Sequence, residues 1–300
     1  MNLTSFKVSL LVLTSLFLQT SCSKESEPNI VESKPEETKP TPSLTNFTVD
    51  FPTTRAFMPA SWINEPISAE IEPLDDSLKE EAKTIILNAL RKYPPSIQQQ
   101  FLSGVSLVGA LRFYDVSYGG TYMANGKRII LVYRKNFNKV GFEQRFHHEF
   151  SSILLKKNKD LFESSRWETG NAPGFEYRAK GVIEEQTGDR SEATRVLAEE
   201  QKKTGGSGSG LLDLNTDLME QGFLTLYNRV SIEQDLNETA AHLFTNPSLW
   251  TYAAAYPRID HKVDVLIDFY RTLDPTFDRL YFRTLNKRPE PATTTSEPAE

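Results

Sequence analysis

The pattern of apolar and polar residues predicts a helix followed by two strands in the first half of the chain. Ser77 followed three residues later by Glu80 is a capping box that begins a helix, and Pro94 prevents its continuation. Between these residues the apolar positions recur at helical spacing: Leu78, Ala82, Ile85, Ile86 and Ala89. Residues 106–114 and 127–133 are rich in strand formers, and a double glycine lies between them. The predicted order is therefore helix, strand, turn, strand.

Three more helices are predicted in the second half, over residues 142–156, from Ser231 onward and over residues 260–273. Each has an apolar stripe at the helical period. The stripes consist of Phe142, Phe146, Phe150, Ile153 and Leu154 in the first helix, Leu236, Ala240 and Leu243 in the second, and Val263, Leu266, Ile267 and Tyr270 in the third. Gln234 stands three residues after Ser231, which predicts a second capping box at that helix start.

The N-terminus carries the pattern of an export signal. Lys7 precedes an apolar run from Val8 to Leu18, which gives way to small and polar residues before Cys22. A run of this length is too short to cross a bilayer as a stable helix. We therefore predict a signal peptide over residues 1–21.

Cys22 is the predicted site of lipid attachment. The residues before it resemble the bacterial lipoprotein processing site, where the signal is removed and the new N-terminal cysteine is acylated, although Gln19 stands where that pattern has an aliphatic residue. Cys22 is the sole cysteine in the 300 residues, and acylation would remove the liability of an unpaired exported thiol. The alternative is an ordinary secretory signal followed by an incidental cysteine.

The rest of the chain divides into one domain between two polar segments. Residues 22–47 are rich in Ser, Glu, Pro, Lys and Thr, and residues 287–300 have a similar composition. Both segments carry too little apolar surface to order themselves, so we predict a disordered tether and a disordered tail. Residues 48–286 are long enough for one domain with its own apolar core.

The net charge argues against a nucleic-acid partner. The chain carries a net charge of −6, which becomes −7 when the signal peptide is removed with Lys7. An acidic surface is repelled by phosphate backbones. We predict a membrane as a partner, through the lipid anchor, and no nucleic acid.

The helix over residues 142–156 contains a candidate catalytic motif. At about 100° per residue, His148 and Ser152 lie within about 40° of each other, and Glu149 borders the same sector, whereas His147 points elsewhere. A metallohydrolase needs two ligands one turn apart and a carboxylate beside the first, but here a serine occupies the second ligand position. The alternative is that the histidines are core polar groups and that Glu149 caps a strand edge or pairs with Arg145 or Lys156.

The segment His148-Glu149-Phe150-Ser151-Ser152-Ile153-Leu154, preceded by a helix, a strand, a double glycine and a further strand, resembles the zincin-type zinc metallopeptidase family found as lipoproteins in Bacteroidetes and related bacteria. The resemblance covers residues 76–273. It implies an α+β fold in which a small mixed sheet packs on an active-site helix and the C-terminal half is helical. It also implies a zinc cofactor, with Glu149 as general base. The family takes a third ligand from a glutamate on a second helix, and Gln234 occupies the matching position here.

The helix from Ser231 offers a replacement for the missing ligands. Asp235, Glu238 and His242 share one face of this helix, opposite its apolar stripe. We therefore predict that His148, Glu238 and His242 bind zinc. The alternative is a solvated acidic face on which His242 pairs with Glu238.

Two functions follow from these alternatives. The first is a lipid-anchored zinc metallopeptidase or related hydrolase with a degenerate His-Glu-x-x-Ser motif, acting on peptides at the bacterial outer membrane. The second is a catalytically inactive, zincin-like binding or accessory lipoprotein, as the loss of ligands at Ser152 and Gln234 suggests.

Overall fold

The computed structural model describes residues 47–114, 116–179 and 211–285, and this part of the chain contains six strands and ten α-helices. The strands are β1 (Thr48–Asp50), β2 (Glu70–Pro73), β3 (Gly104–Phe113), β4 (Val116–Ser117), β5 (Gly120–Met123) and β6 (Arg128–Val132). The helices are α1 (Ala60–Ile63), α2 (Lys79–Leu90), α3 (Pro95–Phe101), α4 (Lys139–Lys157), α5 (Ser164–Glu168), α6 (Thr216–Met219), α7 (Ile232–Thr245), α8 (Leu249–Ala255), α9 (Pro257–Leu273) and α10 (Arg279–Leu285). Short 3-10 turns cover Arg55–Phe57, Asp76–Leu78, Lys159–Leu161 and Tyr227–Arg229.

The strands form one mixed sheet around β3. β3 pairs in parallel with β1 on one side and with β6 on the other, and β5 pairs with β6 in the antiparallel direction. β2 and β4 pair with β3 in the antiparallel direction further along the strand. Gly104 is needed at the start of β3, since a Cβ there would lie 2.6 Å from the carbonyl oxygen of Thr48. The close approach of β1 to β3 therefore depends on a glycine.

The two faces of the sheet bury apolar layers of different size. Alternate residues of β3 point to opposite faces, as the pleat of a strand requires. Leu107 belongs to the large layer that includes α2, α4, α7 and α9. Val108 belongs to a smaller layer formed with Met58 and Trp62 from the segment between β1 and β2. The main core thus lies between the sheet and the helices.

The predicted α+β architecture is confirmed. A small mixed sheet packs on the helix that carries His148 and Glu149, and the residues after 211 are mainly helical. β3 and β6 correspond to the two predicted strands. The predicted helix start at Ser231 is also confirmed, because its hydroxyl accepts a hydrogen bond from the backbone N–H of Gln234 at 3.2 Å.

The predicted capping box at Ser77 is wrong. The side chain of Asp75 accepts the hydrogen bond from the backbone N–H of Ser77 at 2.8 Å, and Ser77 itself lies within a 3-10 turn. The α-helix begins only at Lys79. The cap therefore lies two residues earlier than predicted, because an aspartate upstream competes for the same role.

Within the described residues, no helix is long and apolar enough to cross a membrane.

The predicted signal peptide over residues 1–21, the lipid attachment at Cys22, all but the last residue of the tether and the C-terminal tail lie outside the described residues. These assignments stay predictions.

Candidate functional site

The candidate site is a polar seam where α4 packs against α7. The apolar stripe of α4 is fully buried, and this orientation turns His148 and Ser152 toward α7. From α7, Asn237 and Glu238 face them. All four residues are at most 9% exposed. The alternative of a solvated acidic face on α7 is therefore wrong, because a second helix covers it.

His148 and Glu238 form the first contact across the seam. The Nδ1 atom of His148 lies 2.8 Å from Oε1 of Glu238, within hydrogen-bond distance. The two residues are 7% and 9% exposed. The structure thus brings together two of the three residues that the sequence predicts as metal ligands.

Ser152 and Asn237 form the second contact, one helical turn further along α4. The Nδ2 group of Asn237 donates a hydrogen bond to the Ser152 hydroxyl at 2.6 Å. Both residues are almost fully buried. The position where the metallopeptidase motif has its second histidine is therefore occupied by a hydroxyl that is already bonded to an amide.

His242 does not join the other two predicted ligands. Its Nδ1 atom lies 3.4 Å from the side-chain nitrogen of Gln144 and 3.3 Å from that of Asn246. Burial lowers the pKa of His242, and the charge of Glu238 opposes this shift. No group of three His, Cys, Asp or Glu residues arranged to hold a metal ion occurs in the described part of the chain. The predicted set of His148, Glu238 and His242 is therefore assembled only in part.

Glu149, the predicted general base, lies against the edge strand of the sheet. A Cβ on Gly120, the first residue of β5, would lie 3.3 Å from Oε1 of Glu149, so the glycine leaves room for the carboxylate. Burial lowers the pKa of Arg145, while the charges of Glu149 and Glu238 raise it. Arg145 therefore lies within electrostatic range of both carboxylates. Lys156, the other suggested partner of Glu149, makes no ion pair with any of the described residues.

His147 is a polar group of the core. This agrees with the alternative prediction for this residue, in which the histidines are buried and bonded to neighbouring side chains. Its Nδ1 atom lies 2.8 Å from the Tyr93 hydroxyl, and its ring stacks on Phe244 at 4.6 Å between centroids. Burial lowers the pKa of His147 to about 4, and Glu143 opposes the shift. The ring is fully buried and neutral at pH 7.

Asp235 belongs to a second buried cluster, apart from the seam. Its carboxylate binds Nζ of Lys262 at 2.5 Å and accepts hydrogen bonds from the Tyr177 hydroxyl at 2.6 Å and the Trp167 indole at 2.9 Å. Asn228 donates to the other carboxylate oxygen at 2.7 Å. Asp235 and Lys262 are at most 1% exposed. The sequence pattern placed Asp235 with Glu238 and His242 and predicted no role for the partners of Asp235. Lys262, which stands beside the apolar stripe of α9, could have indicated a buried ion pair.

Glu233 is a further buried carboxylate that sequence analysis did not single out. It accepts a hydrogen bond from the Tyr122 hydroxyl of β5 at 2.9 Å and is 1% exposed. Gln234, which matches the third ligand position of the resembling family, is fully buried. Glu233 therefore connects the first turn of α7 to the edge strand of the sheet.

Comparison with known proteins gives one similar structure. The chain matches no protein-family model and no curated protein. It is similar to a crystal structure from Bacteroides caccae described as a "putative zinc-binding metallo-peptidase". The TM-score is 0.46 and the sequence identity 18%, over 80% of this chain and 84% of that one. The sheet and helices of the present chain by themselves define an α+β fold.

Proposed function

We propose that this chain is a lipid-anchored bacterial envelope protein that keeps a metallopeptidase-like arrangement of sheet and helices but acts by binding rather than by zinc-dependent hydrolysis. The observation that carries the proposal is the closed seam between α4 and α7. Ser152 is bonded to Asn237, and His148 is bonded to Glu238. Ser152, His148 and Glu238 thus each contact a protein partner where a catalytic site would need ligands open to a metal.

The residues of the seam do not fit a catalytic zinc ion. Such a site takes three protein ligands from His, Cys, Asp or Glu and leaves a fourth position open. The seam offers one imidazole, His148, and one carboxylate, Glu238, which contact each other directly. A neutral hydroxyl such as that of Ser152 is a poor zinc ligand, and His242 is turned toward two amides. The proposed role of Glu149 as general base depends on such a metal, so it has no part in this proposal.

Metal content tests this proposal directly. We expect the purified mature chain, stripped with a chelator and dialysed against zinc, to hold well below one equivalent by elemental analysis. Ser152→His combined with Asn237→Ala is expected to create a zinc site with His148 and Glu238, because the two imidazoles then lie one turn apart. Calorimetry with zinc alone measures the gain.

The control adds a histidine that cannot reach the seam. Lys157→His lies at the exposed end of α4 and should gain no such site. Glu238→Gln in the double-variant background should remove the created site. One tightly held zinc in the unmodified chain, lost on Glu238→Gln, would overturn the proposal in favour of a zinc-dependent hydrolase.

The envelope location is supported by the N-terminal sequence. The short apolar run, the small residues that follow it and the single cysteine at position 22 together match an acylated export signal. A covalent lipid holds a protein at a membrane without a membrane-spanning helix.

Replacing the predicted acylated residue tests this location. In a bacterial host the full chain is expected to incorporate labelled palmitate, and Cys22→Ala is expected to lose the label because the acylated thiol is absent. Palmitate labelling followed by gel electrophoresis measures the loss. Gln19→Leu, which restores the aliphatic residue of the processing site, should increase the labelled fraction. Undiminished palmitate labelling of Cys22→Ala would contradict a lipid anchor at this residue.

A further inference from the structure

An asparagine followed directly by a glycine stands in the turn that joins β5 to β6. Asn125-Gly126 is the sole Asn-Gly pair in the 300 residues. Both residues are exposed, and the N–H of Lys127 closes the turn by donating to the carbonyl oxygen of Ala124 at 3.2 Å. Asparagine and glycine favour hairpin turns because both tolerate the backbone conformations that a turn requires. The pair therefore lies in solvent at the end of a hairpin.

An Asn-Gly pair has a reaction of its own, intramolecular deamidation. The backbone nitrogen of the glycine attacks Cγ of the asparagine, a C–N bond forms, and the side-chain nitrogen leaves as ammonia. The product is a cyclic succinimide, which water opens to aspartate or to isoaspartate. Water is the sole co-reactant. Glycine favours the attack because it has no Cβ to obstruct the approach of its nitrogen.

The attacking nitrogen of this pair is not held by a hydrogen bond. The carbonyl oxygen of Gly126 accepts from the Ser103 hydroxyl at 2.7 Å. The N–H of Gly126, in contrast, donates to no acceptor among the described residues. An amide that is already bonded would first have to give up its acceptor, at a cost in free energy. This nitrogen does not face that cost.

The attacked group is equally unrestrained. The Asn125 carboxamide makes no hydrogen bond to any other residue in the described part of the chain. Because the two reacting atoms belong to consecutive residues, the covalent chain itself keeps them near each other. The reaction therefore needs only rotations of the Asn125 side chain and of the backbone in an exposed turn, where local opening is least costly.

Other asparagines of the domain lack one or more of these conditions. The side-chain oxygen of Asn138 caps α4, and Asn237 is fully buried. Asn136 is exposed like the asparagine of the turn, but Phe137 follows it, and the N–H of Phe137 already donates to the carbonyl oxygen of Arg134 at 3.1 Å. Asn136 is therefore an internal control that matches in exposure and differs in the residue that follows.

We propose that Asn125 is a site of non-enzymatic deamidation, which converts it to a mixture of aspartate and isoaspartate. The reaction adds a negative charge to the turn, beside Lys127. Asn125 and Gly126 also line a cavity of about 880 Å³ that is bounded by β1 and by the segment containing α1. The new carboxylate would thus change the charge on the cavity wall. This proposal does not depend on whether the α4–α7 seam holds a metal.

Incubation of the purified chain at mildly alkaline pH tests the proposal. Peptide mass spectrometry measures the fraction of each asparagine whose amide has become an acid, and labelling with an isoaspartyl methyltransferase identifies isoaspartate. We expect Asn125 to react at least about tenfold faster than Asn136. The rate should rise with pH, because the attacking nitrogen must lose its proton. Equal rates at the two residues, or no conversion of Asn125, would refute the proposal.

Gly126→Ala tests the same reaction from the protein side. A Cβ at this position would lie 3.8 Å from the carbonyl oxygen of Met123, an ordinary van der Waals contact, so the fold accommodates the substitution. We expect conversion of Asn125 to slow at least about tenfold, since the added Cβ obstructs the attack. An unchanged rate in this variant would overturn the proposal. Thermal unfolding of the variant verifies that the turn is intact.

Discussion

Lys262→Met is expected to lower the free energy of unfolding by about 3–5 kcal/mol, because it leaves the carboxylate of Asp235 buried without its counter-ion. Asp235 is fully buried, and its ion pair with Lys262 spans 2.5 Å. The ammonium group also lies 4.1 Å from the centre of the Phe223 ring, a contact that methionine cannot replace. Urea unfolding followed by circular dichroism measures the loss.

The control is a lysine whose ion pair faces solvent. Lys79 pairs with Asp76, whose side chain is 92% exposed, and Lys79→Met should cost no more than about 1 kcal/mol. Adding Asp235→Asn to Lys262→Met should recover part of the loss, since the amide carries no charge and can still accept from Trp167 and Tyr177. A loss below about 1 kcal/mol for Lys262→Met alone would show that the pair is not buried as described.

Stability is expected to fall by about 1.5 kcal/mol between pH 6.5 and pH 5 through His147 alone. Burial lowers the pKa of this residue from 6.5 to about 4 in the folded state. Between these pH values His147 is protonated in the unfolded chain and neutral in the folded chain. Lowering the pH therefore favours unfolding. Urea midpoints measured at several pH values give the slope.

His147→Gln should flatten this part of the pH dependence, because glutamine does not titrate and can still bond to the Tyr93 hydroxyl. The pKa of His242 is also lowered by burial, so a smaller slope should remain in the variant. Burial raises the pKa of Glu143, but His147 and Lys92 outweigh burial and lower this pKa to about 2. Glu143 therefore takes up its proton below this pH window and does not contribute to the slope. An unchanged slope in His147→Gln would contradict the assignment.

The long helices and strands were predictable because each contains enough apolar residues to show the spacing typical of a helix or the composition typical of a buried strand. The apolar stripe of α4 spans four turns, and all its members are fully buried as predicted. β3 and β6 are rich in buried apolar residues, as is typical of parallel strands covered on both faces. β1, β2 and β5 have three or four residues each and show no pattern that separates them from loops.

The contacts of individual α7 side chains were harder to predict than the fact that they share one face of the helix. A helical wheel places residues in a sector but does not say which neighbouring element each one meets. Asp235, Glu238 and His242 share a sector of α7, yet they contact Lys262, His148 and Gln144 respectively. The choice depends on α9 and α4, which pack on either side of this helix. The contact between His148 and Glu238 followed from the sequence, whereas the separation of His242 did not.

The contacts of Arg128 with Thr48 and Asp50 affect how the domain would respond to mechanical load. Arg128 belongs to β6 but bonds to Thr48 and Asp50, so its side chain reaches across β3 to the first strand. The described residues begin at Phe47, so a force applied at that end acts first on β1. A pull along that strand would strain its ladder with β3 and the Arg128 contacts together, so they would resist as one joint. The first resistance to such a force would therefore come from the three residues of β1 and the guanidinium group of Arg128.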